Sequence, residues 1–147
     1  MENNLIEEEI ISSWIYLTSI IKNCRITTEF SYNESVILNL AYKKYLFDAK
    51  GLLPVKEIIK ETFMLKSLVN RTIDALESKK MIIKEKNIID KRELNIKINP
   101  NNIDKYIKSH NDILKYVKKI VDFIGIEDAK SFAKISKKLL VYSRGGN

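Results

Sequence analysis

The apolar spacing of residues 65–98 changes period part-way along, and this change limits the folds open to the chain more than any other feature. In LKSLVNRTIDALESKK, the residues Leu65, Val69, Ile73 and Leu76, with Leu68 beside them, recur at helical steps and define one buried face. Lys66, Ser67, Asn70, Arg71 and Asp74 are left on the outer face. From MIIKEK through NIID to KRELNIKI the period falls to two: Leu94, Ile96 and Ile98 alternate with Glu93, Asn95 and Lys97, as a half-buried strand requires. A helix therefore feeds directly into a hairpin whose tip carries Asp90, Lys91 and Arg92.

The stretch before this helix, PVKEIIKE, predicts a short helix with Pro54 in its first turn, where a missing N–H costs nothing. Two helices joined by a tight turn, the second with a polar and basic face, form a helix-turn-helix pattern, and the hairpin after it reads as a wing. Upstream, SYNE has the Ser-x-x-Glu form of a capping box and predicts a helix start at Ser31. Val36, Ile37, Leu40 and Ala41 supply the buried stripe of that helix, and the Gly of AKG ends it. Leu52 and Leu53 follow as a short extended piece.

The flanking segments are helical and over-rich in apolar residues. Residues 5–22 place Ile6, Ile10, Trp14, Leu17 and Ile21 on one stripe, which Ile11, Ile15 and Ile20 widen. So broad an apolar surface wants cover from more than one neighbour, here a second subunit. After Pro100 the helical period returns, from Ile103 through Tyr106, Ile107, Ile113, Leu114, Val117, Ile120 and Val121 to Ile124; Gly125 breaks it, and a last helix is expected over 127–142. The predicted fold is mainly α with a small β-wing: a winged helix-turn-helix lobe over 26–100, flanked by helical dimerisation regions at 1–25 and 101–147.

Composition sets the class of partner. The chain has 147 residues, 45% hydrophobic and 31% charged, with only 4 Gly and 2 Pro, which describes a compact helix-rich protein of one domain or of two lobes sharing elements. A net charge of +7 favours polyanionic partners. The charge is uneven: residues 1–30 hold 2 basic and 5 acidic side chains, residues 61–100 hold 9 and 6, and residues 101–147 hold 10 and 5. The lone Cys24 forms no internal disulfide, the acidic MENNLIEEEI is unlike a secretory signal, and no apolar run reaches the roughly 18 residues of a membrane span. The expected compartment is a reducing cytoplasm, with no membrane partner. No nucleophile and base pair, phosphate loop or framed carboxylate pair appears, so neither an enzyme nor a cofactor is expected.

Order and motifs together resemble the MarR family of bacterial winged-helix transcription regulators, across nearly the whole chain in layout and over residues 58–98 in motif detail. The family's recognition helix commonly reads K-S-T-V-T-R-L-V-D-R-L-E-x-K-G-L-I, and Lys66 to Ile82 here reads KSLVNRTIDALESKKMI. The family's wing carries an Asp-x-Arg followed by alternating apolar residues, matched by Asp90, Lys91 and Arg92 and then Leu94, Ile96 and Ile98. The staphylococcal SarA-like regulators share this architecture and a similar wing. Three departures stand out: Lys80 occupies the place of a helix-closing Gly, Leu65 replaces an Asp cap, and Asn99-Pro100-Asn101-Asn102 replaces a Thr-x-x-Gly.

The resemblance implies a homodimer on double-stranded DNA, more often a repressor than an activator. The recognition helix, 66–79, would enter the major groove and the wing, 83–98, the minor groove of a palindromic operator. Asn70 suits adenine, and Arg71 suits guanine or a phosphate. Lys66 and Ser67 anchor the backbone. Arg92 reaches the minor groove, held by Asp90 through a charge-assisted contact, while Lys84, Lys86 and Lys91 add phosphate contacts. In the family, small molecules bind between the dimer helices and the winged lobe; Trp14, Tyr42, Tyr45 and Tyr106 are the aromatic candidates here, against the commoner role of such residues in a core. Two other readings remain open: a winged-helix module for a protein or membrane surface, and an oxidative-stress sensor using Cys24 beside Arg25. His110, near Asp104 and Asp112 but without a second His or a Cys at ligand spacing, reads as a surface histidine rather than a metal ligand.

Overall fold

The computed structural model describes residues 4–23, 29–48, 50–90 and 92–146, so Cys24, Arg25 and Lys91 lie outside the described residues. The chain divides into two compact units, Met1–Ser109 and His110–Asn147. The first contains α1 (Leu5–Asn23), α2 (Tyr32–Phe47), β1 (Leu53–Pro54), α3 (Val55–Thr62), α4 (Lys66–Ser78), β2 (Ile82–Lys86) and β3 (Leu94–Ile98). A 3-10 turn, Pro100–Asn102, leads into α5 (Ile103–Ile124), which continues into the second unit and is followed there by α6 (Ile126–Ser143).

The capping box at the start of α2 is present as expected. The Ser31 side chain accepts from the Glu34 N–H at 3.2 Å, and the Glu34 carboxylate accepts from the Ser31 N–H at 3.4 Å. Glu34 is itself buried and pairs with Lys79 Nζ at 2.7 Å, so one carboxylate caps α2 and ties it to the residue that ends α4. The stripe that α2 buries is Ile37, Leu38 and Ala41; Val36 and Leu40, expected inside, are only half-buried. The helix packs against both β3 and α4, which shifts its covered face toward Leu38. It ends at Phe47, earlier than the glycine signal indicated, and Gly51 instead takes a left-handed φ of +59° in the loop beyond.

The sheet has the order β1-β3-β2, antiparallel throughout. Ile82 faces Ile98 and Lys86 faces Leu94 across the wing, while the two-residue β1 pairs Leu53 with Ile96 on the other edge of β3. Pro54 closes that edge strand, where its missing N–H breaks no ladder, and it caps α3 rather than opening it. Ile58, Val69, Ile73, Leu76, Ile96 and Ile98 meet Ile37 and Leu38 in a single core that Tyr106 of α5 completes. Leu65 departs from the expected stripe: it is the extended residue before α4 and is 74% exposed, because a cap position lies outside the helical period. Thr72 is buried on α4 instead, its hydroxyl donating to the Leu68 carbonyl at 2.7 Å.

In the second unit Gly125, at φ +91°, separates α5 from α6, as the sequence predicts. Neither α1 nor α6 has a buried residue. Trp14, Ile15, Ile20 and Ile21 on α1, and Phe132, Ile135, Leu139 and Leu140 on α6, are all exposed. No described helix is long and apolar enough to cross a membrane.

Candidate nucleic-acid interface

α4 presents its polar residues as the period predicts. Val69, Ile73 and Leu76 anchor the inner face, and Lys66, Ser67, Asn70 and Arg71 are exposed within the first two turns. These four bring two cations, an amide and a hydroxyl onto an unobstructed helix surface near its N-terminal end, the kind of surface that suits base edges and phosphates.

Further along, Asp74 and Glu77 would place negative charge on the same helix, and Lys84 of β2 answers both. Its Nζ lies 2.5 Å from Asp74 Oδ1 and 3.3 Å from Glu77 Oε1. The Asp74 hydrogen bond raises the Lys84 ammonium above its ordinary range, with burial opposing and Glu77 assisting. Lys84, expected at a phosphate, is thus engaged by two carboxylates and fastens the wing to α4. Lys86 is exposed at the end of the same strand.

At the wing tip Asp90 and Arg92 meet as expected. Asp90 Oδ1 accepts from the Arg92 backbone N–H at 3.0 Å and from Arg92 Nε at 3.4 Å, a contact through one carboxylate oxygen rather than a two-pronged pair. The Arg92 side chain is nevertheless 93% exposed, so its guanidinium is oriented without being covered.

Two residues that sequence reasoning missed build this tip. Asn87 Oδ1 accepts from the N–H groups of Ile89 (2.9 Å) and Asp90 (3.4 Å), and its Nδ2 donates to Glu93 Oε2 at 3.2 Å. An Asn opening a hairpin loop is a recognisable turn signal. Lys56 of α3 reaches Glu93 Oε1 at 2.6 Å; the hydrogen bond and charge of each hold Glu93 below the usual carboxylate range and Lys56 above its own. Nothing in local sequence announces a contact between residues 56 and 93.

The aromatic candidates separate. Tyr42 and Tyr106 stack at 5.0 Å with planes tilted by 50°, and the Tyr106 hydroxyl accepts from Asn39 Nδ2 at 3.0 Å. Tyr45 packs against the same core, whereas Trp14 lies on the exposed α1. Burial is the main cause that pushes the Tyr106 phenol above its ordinary range. His110 is half-buried rather than on the surface, and no cluster of metal-ligating side chains occurs among the described residues.

No family model matches this sequence, and no curated protein does so either. Solved structures do. BpsR of Bordetella bronchiseptica, whose DNA binding is regulated by 6-hydroxynicotinic acid, superposes with a TM-score of 0.72 over 90% of this chain and 98% of its own, at 10% identity. The transcriptional regulator BldR of Sulfolobus solfataricus gives 0.68 over 90% and 94%, at 17% identity. The fold is a winged helix like that of these regulators. PcaV of Streptomyces coelicolor, a transcriptional regulator solved with its natural ligand, gives 0.70 over 88% of each chain at 10% identity. With identities this low, the winged-helix likeness rests on shared topology, and the motif resemblance of residues 58–98 stands beside it as a separate observation.

Proposed function

We propose that this chain is a homodimeric, sequence-specific DNA-binding transcription regulator that acts as a repressor. The carrying observation is the pairing of an exposed Lys66, Ser67, Asn70 and Arg71 face on α4 with a wing whose Arg92 is oriented by Asp90 and left open to solvent. On this reading α4 enters the major groove, with Asn70 and Arg71 toward base edges and Lys66 and Ser67 toward phosphates. Arg92 enters the adjacent minor groove, and Lys86 and Lys91 contact phosphates. Asp90 and Lys84 orient the parts that touch DNA.

The helical regions at 1–25 and 101–147 form the dimer, the winged lobe at 26–100 binds DNA, and two lobes about one turn of duplex apart require an imperfect palindrome. The exposed apolar stripes of α1 and α6 support this assignment, since single soluble chains seldom leave so much apolar surface uncovered. A small-molecule effector that releases the protein from DNA is the natural extension, given that BpsR responds to one and PcaV binds one.

Fluorescence anisotropy over a salt series tests the proposal, using the intergenic duplex beside the protein's own gene and a scrambled duplex. Specific binding that weakens in Arg92→Ala is the expected result. Equal, weak, salt-sensitive binding to both duplexes overturns it.

A further inference from the structure

The loop joining β2 to β3 exposes apolar side chains where solvation alone favours polar ones. Ile88 and Ile89 are 93% and 97% exposed, the two most exposed large apolar side chains among the described residues. The backbone beneath them is pinned. Asn87 Oδ1 accepts from the N–H groups of Ile89 and Asp90, the Asn87 N–H donates to the Glu93 carbonyl at 3.1 Å, and the Glu93 N–H donates to the Asp90 carbonyl at 3.0 Å. Lys56 secures Glu93 from α3. These bonds fix the loop backbone in the conformation in which both isoleucines stand exposed.

Cations flank the pair. Arg92 shares the loop and is almost fully exposed, and Lys86 stands exposed where the loop begins. Apolar side chains between cations match a narrow groove with anionic rims: the cations meet phosphates, while the methyl groups meet sugar walls and the floor. An A·T-rich minor groove suits this best, because it is narrow and strongly negative and lacks the guanine amino group that would obstruct an apolar contact. Apolar wedges beside Arg and Lys are a known way of holding a minor groove.

We propose that Ile88 and Ile89 are an apolar wedge on the wing that seats in an A·T-rich minor groove beside Arg92, adding affinity and setting base-pair preference there. This rests on the DNA-binding reading above. An apolar wedge releases no counterions, so it contributes affinity without steepening the salt dependence, whereas Arg92 contributes to both.

The test uses the duplex that the wild-type protein enriches from a randomised pool. Ile88→Ser/Ile89→Ser should bind that duplex at least about tenfold more weakly, with an unchanged salt slope, and Ile88→Val/Ile89→Val should recover most of the loss. Replacing A·T with G·C pairs under the wing should erase the difference between wild type and the Ser variant. Wild-type affinity in the Ser variant overturns the wedge while leaving the regulator reading intact, even if that variant changes oligomeric state or loses a protein partner. Failure of the pool to enrich any sequence overturns both.

Discussion

Lys84 on the wing and Asp74 on α4 lie 2.5 Å apart, and Glu77 reaches the same ammonium at 3.3 Å. The wing is thereby fastened to the helix whose outer face carries Asn70 and Arg71. A lysine in a wing ordinarily suggests a phosphate contact; this one pairs with two carboxylates that, on the proposed reading, would otherwise face the DNA backbone.

A double-mutant cycle separates the two roles. Lys84→Ala should weaken DNA binding by about fivefold to tenfold, because Asp74 and Glu77 are left to repel phosphates. In an Asp74→Asn/Glu77→Gln background the same change should have little effect. A phosphate-contacting lysine would instead lower the salt slope by about one in either background. Stability should change by no more than about 1 kcal/mol, as for other pairs near the surface.

Lys80 should be a site where glycine stabilises. It adopts a left-handed φ of +58°, and the Met81 N–H donates to the Leu76 carbonyl and the Lys80 N–H to the Glu77 carbonyl, both at 2.9 Å. These two bonds make a Schellman motif, whose left-handed position favours glycine. Lys80→Gly should raise stability by about 1 kcal/mol in chemical denaturation. The Lys80 carbonyl accepts from both Asn99 Nδ2 and Asn102 Nδ2 at 2.9 Å, so Asn99→Ala and Asn102→Ala should each cost about 0.5–1.5 kcal/mol.

This turn also shows how far the sequence could be read. Helical and strand periods located α4, the wing and the break at Gly125, because each depends on neighbours within a few positions. Lys80 in place of a glycine and Asn99 to Asn102 in place of a Thr-x-x-Gly are separate departures along the sequence, yet they meet at one carbonyl. β1 showed itself only as a short extended piece, since two residues carry no period and its partner Ile96 is distant in sequence. The exposed face of α4 was legible from spacing alone. The partners of Lys84 and Lys56 were not, because pairing between charges on different elements depends on the packed geometry.

Glu93 and Lys56 should make closure of the wing tip depend on pH at the two extremes. The folded state holds the Glu93 carboxyl below its ordinary value, so this contribution is complete above the usual carboxylate range and is lost as pH falls through the depressed value. Lys56 is raised, so its contribution is complete below the usual lysine range and is lost as pH rises through the elevated value. Amide exchange of Asn87 and Glu93, whose N–H groups close the loop, should therefore show a flat protection plateau between those ranges. Glu93→Gln should abolish the acid limb.

Trp14 reports on the proposed dimer directly, because it is the chain's single tryptophan and lies within the apolar stripe of α1. In one chain this residue is 52% exposed, which predicts emission near that of a partly hydrated indole. If a second copy covers α1, the concentrated protein should emit at shorter wavelength, and dilution should shift the spectrum red over the same concentration range in which sedimentation shows dimers dissociating. Ile10→Asp, placed one helical turn away on the same stripe, should move both transitions to higher concentration by at least about tenfold, since it puts a charge into an apolar interface. A spectrum that does not change across the concentration range in which sedimentation shows the dimer dissociating would assign the dimer contact to other surfaces and leave the apolar face of α1 for a different partner.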